Sequence, residues 1–406
     1  MKIRAALLAA LLFFSAGAAQ AALPASLSRL LGKSDSLLVT DEAGNEIWSH
    51  LADTPRVPAS TLKVLTCLAA LETLGPDYRF ATEFYARGAD TLVIKGYGDP
   101  LFVSEVMARA AGDLVTQAAG RTHIVLDDSF FARPLAVPGA ERSSNPYDAP
   151  VGALCANFNS VEFRYGAGGR PESAETQTPL IPFAEDLIRA RKLPPGRVLL
   201  AAERGEATLY AGRLFGAFLE KRGLAPVKSV ETGVLDPGDT LLMRFDSPYT
   251  LSDAVLKLLA TSSNFMTNQI FLTLGATEKG APATFEKGAE AVEGYAAEKL
   301  GITDLKVVEG SGLSRVNRIT ARQMEKVLAR FFPYRGLMKE EYGIRLKTGT
   351  LSGISTRVGY VPVQEADGKE KTYRVVVFCN TAGRKAEPVI LEAARLLRDT
   401  GAARAR

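Results

Sequence analysis

Three short stretches carry residue types that could make and break an acyl bond. The first is Ser60-Thr61-Leu62-Lys63. On a helix a spacing of three places hydroxyl and amine on one face, within reach of each other. Leu62, Val64, Leu65, Leu68, Ala69 and Leu71 surround the pair, so a helix from about Ser60 to Leu74 is apolar on nearly every side and belongs at the centre of a domain. Burial there favours a neutral lysine, which can act as general base for the serine. A helix N-terminus adds free N–H groups and positive potential beside a nucleophile that must become an alkoxide. The plain alternative, an exposed lysine in a chance match, conflicts with these neighbours.

The second stretch is Ser262-Ser263-Asn264, between two helical segments. Ser and Asn are good helix caps. The same triplet can also supply a hydroxyl that relays protons between nucleophile and leaving group, and an amide that fixes a substrate backbone; both readings stay open. The third is Lys347-Thr348-Gly349-Thr350, at the start of a strand series. A cation and hydroxyls on one strand can hold a carboxylate, and Gly349 lets that strand approach a ligand closely. The amides of Thr350 and Ser60 could together form an oxyanion hole. The alternative is an ordinary edge-strand lysine.

The elements that must position these groups follow from periodicity. Ser36 to Thr40 and Glu46 to Trp48 flank the polar turn Asp41 to Asn45, a predicted hairpin. From about Tyr78 to Phe245 the texture changes to short strand-like runs, Thr91 to Lys95, Ile124 to Leu126 and Val198 to Ala201, broken by Gly and Pro. Helical spacing returns over Leu251–Leu259, Phe265–Leu274, Phe285–Leu300 and Ala321–Phe331. Leu346, Val358–Val363 and Tyr373–Phe378 then predict successive antiparallel strands, closed by a helix from about Glu387 to Arg398.

Composition narrows the chemistry. The chain has 406 residues, with 49 Lys+Arg against 45 Asp+Glu and a formal charge of +4, too balanced for the basic stripe of a nucleic-acid binder. Only His50 and His123 are available, which removes most histidine-dependent catalysis. Cys67, Cys155 and Cys379 lack metal-knuckle spacing; they read as buried small hydrophobes with room for one disulfide, and no structural metal or cofactor is expected. Lys2 and Arg4 precede an apolar run, Ala5 to Phe14, and small residues ending Ala19-Gln20-Ala21. Residues 1–21 are therefore expected to be a secretory signal peptide, leaving a product with no integral membrane segment that begins near Ala22. Two of the excess positive charges belong to that leader. No coiled-coil heptad hints at an oligomer.

The order S-x-x-K, S-x-N, K-T-G is the signature of the penicillin-recognising serine acyl-transferases. The long gap from Ser60 to Ser262 implies an insertion larger than a compact β-lactamase needs. With Lys95-Gly96-Tyr97-Gly98-Asp99-Pro100, Tyr147-Asp148-Ala149-Pro150, Asn157-Phe158-Asn159, Gly310-Ser311-Gly312-Leu313-Ser314-Arg315 and Lys347 to Gly353, nearly all the mature chain resembles the D-alanyl-D-alanine carboxypeptidase/endopeptidases, the low-molecular-mass class C penicillin-binding proteins. The resemblance implies an α/β (α+β) fold of the transpeptidase-like and β-lactamase-like kind, an antiparallel sheet flanked by helices. The catalytic domain would be split over 22–77 and 246–406, with β-rich accessory material inserted at 78–245.

It further implies Ser60 as nucleophile, Lys63 as base, Ser262 as proton relay, and Asn264, Lys347, Thr348 and Gly349 as substrate contacts. Arg315 would bind a side-chain carboxylate of the substrate, and Tyr147 would supply an aromatic wall. The expected function is hydrolysis of D-alanyl-D-alanine ends, and of D-alanyl cross-links, in an exported, periplasmic or other extracytoplasmic enzyme. Its partners would be peptidoglycan stem peptides and β-lactams, not nucleic acid. A serine β-lactamase and a non-catalytic peptidoglycan-binding protein are the rival readings. Departures from the family pattern are Ser263, where Asp is frequent, Glu309 before the Gly-Ser-Gly turn, where Asp is usual, and Arg357 within the apolar stretch after the third motif.

Overall fold

The structure is a computed structural model that describes residues 22–141, 143–199, 204–365 and 368–403. The expected signal peptide, residues 1–21, lies outside the described residues, as do Leu200 and Ala201 of the third predicted strand run.

The described residues open with α1 (Ala25–Leu30), the hairpin β1 (Asp35–Thr40) and β2 (Glu46–His50), and α2 (Lys63–Thr73). A middle stretch holds β3 (Ala81–Arg87), β4 (Thr91–Gly96), α3 (Ser104–Leu114), β5 (His123–Asp127), β6 (Ser160–Tyr165) and β7 (Pro171–Ser173). It continues with α4 (Pro182–Arg191), β8 (Gly196–Leu199), α5 (Arg204–Lys221), β9 (Ser229–Thr232) and β10 (Thr240–Asp246). Then come α6 (Leu251–Thr261), α7 (Asn264–Lys279), α8 (Phe285–Leu300), α9 (Ala321–Phe331), β11 (Lys339–Glu341), β12 (Ile344–Leu351), β13 (Ile354–Gln364), β14 (Glu370–Cys379) and α10 (Ala386–Ala403).

The two ends of the chain build one antiparallel sheet, ordered β11-β12-β13-β14-β1-β2. Its central strand β14 is buried from Tyr373 to Cys379, and alternation explains why a continuous apolar run suits it. Val375, Val377 and Cys379 pack with Ala386, Val389 and Ile390 of α10. Val376 and Phe378 face the opposite way, into the cluster that holds α2, α6, α7 and α9. Every residue from Lys63 to Leu71 of α2 is buried, as an all-round apolar helix requires.

The middle stretch forms a five-stranded sheet, β10-β3-β4-β5-β9, and a three-stranded one, β7-β6-β8. β4–β5 and β5–β9 pair in parallel, and such pairs need crossovers; α3 lies within the first and α5 within the second. Helices α3, α4 and α5 are absent from the sequence reading, which recognised only strands there. The spacing of Val106, Met107, Ala110, Ala111 and Leu114, all buried, is nevertheless helical. Residues from Phe84 to Phe245 share a cluster of their own, while Leu101, Phe131, Val151, Ala153 and Cys155 reach into the core around α2.

The three cysteines are buried and form no disulfide, so the one bridge for which the sequence left room is not made. No helix among the described residues is long and apolar enough to cross a membrane.

Candidate active site

Ser60 lies in a 3-10 turn, Ala59–Leu62, that runs directly into α2. Ala59 has a φ of +48°, a left-handed conformation that costs a residue with a Cβ about 1 kcal/mol or more. Its surroundings hold it there. Thr61 Oγ1 and Thr356 Oγ1 each donate to the Pro58 carbonyl at 2.7 Å. Gly312 packs so tightly on the Ala59 carbonyl that a Cβ at that position would overlap it. Ser60 itself is half-buried.

Lys63 is fully buried, and its Nζ meets three oxygens: Ser60 Oγ at 3.0 Å, Asn264 Oδ1 at 2.8 Å and the Ser311 carbonyl at 2.7 Å. Burial, with the nearby Lys347 charge as a second cause, pulls this amine down to about 7, against opposing pulls from Glu309 and Cys67. Burial likewise pushes the Cys67 thiol up to about 12, so no thiolate competes for the site.

The S-x-N triplet turns the corner between α6 and α7. Ser262 closes α6 in the left-handed region, φ +57° and ψ +34°. Ser263 is the cap of α7, its Oγ accepting from Met266 N at 3.2 Å. Capping therefore falls to the middle residue, which leaves the outer two facing the cleft. Asp caps as well as Ser does, so the departure at Ser263 is physically neutral. Asn264 bridges the site: Oδ1 accepts from Lys63, and Nδ2 donates to the Tyr147 carbonyl at 3.2 Å.

The opposite wall is β12. Lys347, 3 % exposed, donates to Ser262 Oγ at 2.8 Å and to the Thr348 carbonyl at 2.9 Å, and burial lowers it to about 8. Thr348 is half-buried and Thr350 exposed on the same strand. A Cβ on Gly349 would stand 2.8 Å from Ser60 N and 3.0 Å from the Pro58 carbonyl, and would strike Thr356 Oγ1. Only glycine lets this strand lie against the Ser60 amide, with Thr350 next along it. Arg357 pairs across from Thr348, and its guanidinium turns toward α10, meeting Glu387 at 2.8 Å and Glu341 at 3.8 Å. That departure is absorbed by ion pairs on the side away from α2.

Two expected residues sit differently from the simplest picture. Arg315 is exposed and donates to the Ser352 carbonyl at 2.5 Å, tethering its turn to the loop after β12. Tyr147 is 54 % exposed, and its hydrogen bond to the motifs is made by its carbonyl, not its ring. With Ser262, Asn264 and Phe158 it lines a cavity of about 730 Å³ that extends between the middle stretch and α6–α7. Sequence reasoning missed the Ser311 carbonyl and the role of Glu309, which is fully buried and gathers the 309–317 turn. A backbone acceptor has no side-chain signature; the Gly-Ser-Gly sequence was the available hint.

The family model for D-Ala-D-Ala carboxypeptidase 3 (S13) matches residues 21–185 and 195–332, a span that includes Ser60, Lys63, Ser262, Asn264 and Arg315 and ends before Lys347. The chain is 26% identical over 415 residues to a D-alanyl-D-alanine carboxypeptidase of Actinomadura sp. strain R39, covering 83% of this chain and 77% of that one. It is also 26% identical to the carboxypeptidase DacB of Mycolicibacterium smegmatis, over 89% and 80% of the two chains. Among solved structures, penicillin-binding protein 4 of Haemophilus influenzae superposes with a TM-score of 0.70 at 18% identity, covering 94% of this chain and 98% of that one. A predatory endopeptidase of Bdellovibrio bacteriovorus gives 0.53 at 16%, over 91% and 93%. These structures share the mixed fold of helices and antiparallel sheet.

Proposed function

The chain belongs to the D-Ala-D-Ala carboxypeptidase 3 (S13) family and is a serine-type D-Ala-D-Ala carboxypeptidase; from that premise we propose that Ser60 is its nucleophile and Lys63 its general base. The observation that carries this assignment is the contact between Lys63 Nζ and Ser60 Oγ at 3.0 Å, in a pocket that holds the amine near 7. An ammonium donates three hydrogen bonds. A neutral amine keeps two N–H groups for the Asn264 and Ser311 carbonyl oxygens, and its lone pair then faces the Ser60 hydroxyl.

The mechanism follows from that arrangement. Lys63 takes the Ser60 proton as Oγ attacks the carbonyl of the penultimate D-alanine. The amides of Ser60 and Thr350 hold the oxyanion. Ser262, hydrogen-bonded to Lys347, gives its proton to the departing amine of the terminal D-alanine and regains one from the Lys63 ammonium, which returns to the neutral amine; the terminal carboxylate rests on Lys347 and Thr348. Water then hydrolyses the acyl-enzyme, with Lys63 again as base. A β-lactam offers the same carboxylate and an amide that remains tethered after ring opening, so it would acylate Ser60 and leave slowly. Asn264 fixes the substrate backbone, Gly349 keeps β12 close, and Arg315 and Tyr147 border the substrate's side chain.

Residues 22–77 and 246–406 would form the catalytic domain around the insertion at 78–245, and the leader 1–21 would export the protein to the periplasm or an equivalent cell-wall space. Endopeptidase activity on cross-linked peptides is a second reading, favoured by the 730 Å³ cavity beside Ser262 and Asn264, which offers more room than a single alanine fills. Mature protein incubated with a pentapeptide stem should release D-alanine and yield a penicillin adduct on Ser60. Binding without release, or an adduct elsewhere, overturns the assignment. Loss of terminal D-alanine with no fall in cross-linked dimers would remove the endopeptidase half.

A further inference from the structure

We propose that Glu309 is a positioning residue for the general base: it fixes the 309–317 turn so that the Ser311 carbonyl aims the Lys63 lone pair at Ser60. This rests on the Ser60–Lys63 assignment above and goes beyond it.

Glu309 is fully buried, and its two carboxyl oxygens accept from five donors. Oε2 takes Ser311 N at 2.7 Å, Ser311 Oγ at 2.6 Å and Asn268 Nδ2 at 3.2 Å. Oε1 takes Ser314 N at 3.2 Å and Asn317 Nδ2 at 2.8 Å. An acceptor-only pattern of this kind describes a carboxylate. Asn268 completes the frame by accepting from Gly310 N at 2.9 Å, and Thr66 of α2 donates to the Gly310 carbonyl at 2.8 Å. The peptide carbonyl between Ser311 and Gly312 is thus pinned from both sides, and it points at Lys63 Nζ, 2.7 Å away. Gly312 seats the same turn on the Ala59 carbonyl, so one element orients both the base and the residue before the nucleophile. Fixing the direction of a proton acceptor matters because displacements near 1 Å cost roughly a hundredfold in rate.

Glu309 acts through charge as well. The charged and titratable groups that face Lys63 are Lys347 from β12, Glu309 from this turn and Cys67 on its own helix; Lys347 lowers its affinity for protons, and Glu309 raises it.

The test is the rate of penicillin acylation against pH for wild type, Glu309→Gln and Glu309→Asp, each checked for folding by thermal melting. In Glu309→Gln the expected result is a plateau rate lower by roughly tenfold to a hundredfold, with the acid limb moved to lower pH because Lys63 has lost a negative neighbour. Glu309→Asp keeps the charge, so its acid limb should coincide with that of wild type and its rate should lie between the other two. An unmoved limb or an undiminished rate in folded Glu309→Gln would overturn the inference. If Glu309→Gln does not fold, a moved limb in Glu309→Asp would overturn it instead. Failure of the parent assignment is separable, because wild type would then form no Ser60 adduct at all.

Discussion

Two serine–lysine pairs meet in one site, and they differ in how they are made. Ser60 and Lys63 are neighbours on one helical turn, 3.0 Å apart. Ser262 and Lys347 come from a helix corner and a strand, and meet at 2.8 Å only after the sheet and helices have packed. Both amines are stripped of water, yet they are held apart, near 7 and near 8. Part of the gap comes from order of influence: Lys347 depresses Lys63, whereas Glu341 raises Lys347. Between those values the first lysine is largely neutral and suited to remove a proton, while the second is largely charged and suited to hold a carboxylate. Pairs of titratable groups separated in this way divide acid from base roles.

The comparison breaks most severely at the helix pair. Ser60→Ala should abolish the penicillin adduct and lower D-alanine release by roughly 10⁴-fold or more, read by intact-protein mass and product assay. Lys63→Met should cost roughly 10²- to 10⁴-fold in acylation and change how stability depends on pH. The sign follows from linkage. The native amine near 7 lies below the unfolded value of about 10.4, so the unfolded chain binds more protons between them, and stability rises with pH across that window. Lys63→Met should flatten this rise, which melting at a series of pH values would detect.

The strand pair should fail more gently. Lys347→Gln is expected to lower kcat/KM for carboxylate-bearing substrates by roughly tenfold to a hundredfold, and to matter little for a C-terminally amidated peptide. Gly349→Ala sharpens the comparison, because its methyl group would press on Ser60 N and on the Pro58 carbonyl. Acylation should fall, and the overpacked methyl should also lower stability by roughly 1–3 kcal/mol, read as a lower melting temperature. Smallest of all, Ser263→Asp should be near neutral, whereas Ser263→Ala should lose about 1 kcal/mol of stability through the cap of α7.

Legibility in the sequence follows the same division. The helix pair could be read directly, since a spacing of three and apolar neighbours dictate both proximity and burial. The hairpin, the helices from α6 to α9 and the terminal strands could also be read, because their alternation or 3.6-residue spacing reports which face meets the core. Lys347 and Ser262 were found as motifs, but their contact depends on non-local packing. The Ser311 carbonyl and the left-handed Ala59 were hidden, because backbone acceptors and strained torsions leave no distinct residue type behind. Helices α3 to α5 are hard to read because short strand-like runs and frequent Gly and Pro surround them, although buried residues recur at helical spacing in α3. Tyr147 was noticed for its ring, whereas its backbone makes the contact to Asn264.

The most direct test of the two-lysine account is the pH dependence of Ser60 acylation by a labelled penicillin, compared between wild type and Lys347→Gln. The account predicts a bell for wild type, rising through about 7 as Lys63 loses its proton and falling above about 8 as Lys347 loses its own. Lys347→Gln should keep a rising limb, moved to higher pH by loss of the positive neighbour that depresses Lys63, and lose the falling one. A wild-type profile with no limb near 7, or a falling limb that survives in Lys347→Gln, would contradict it.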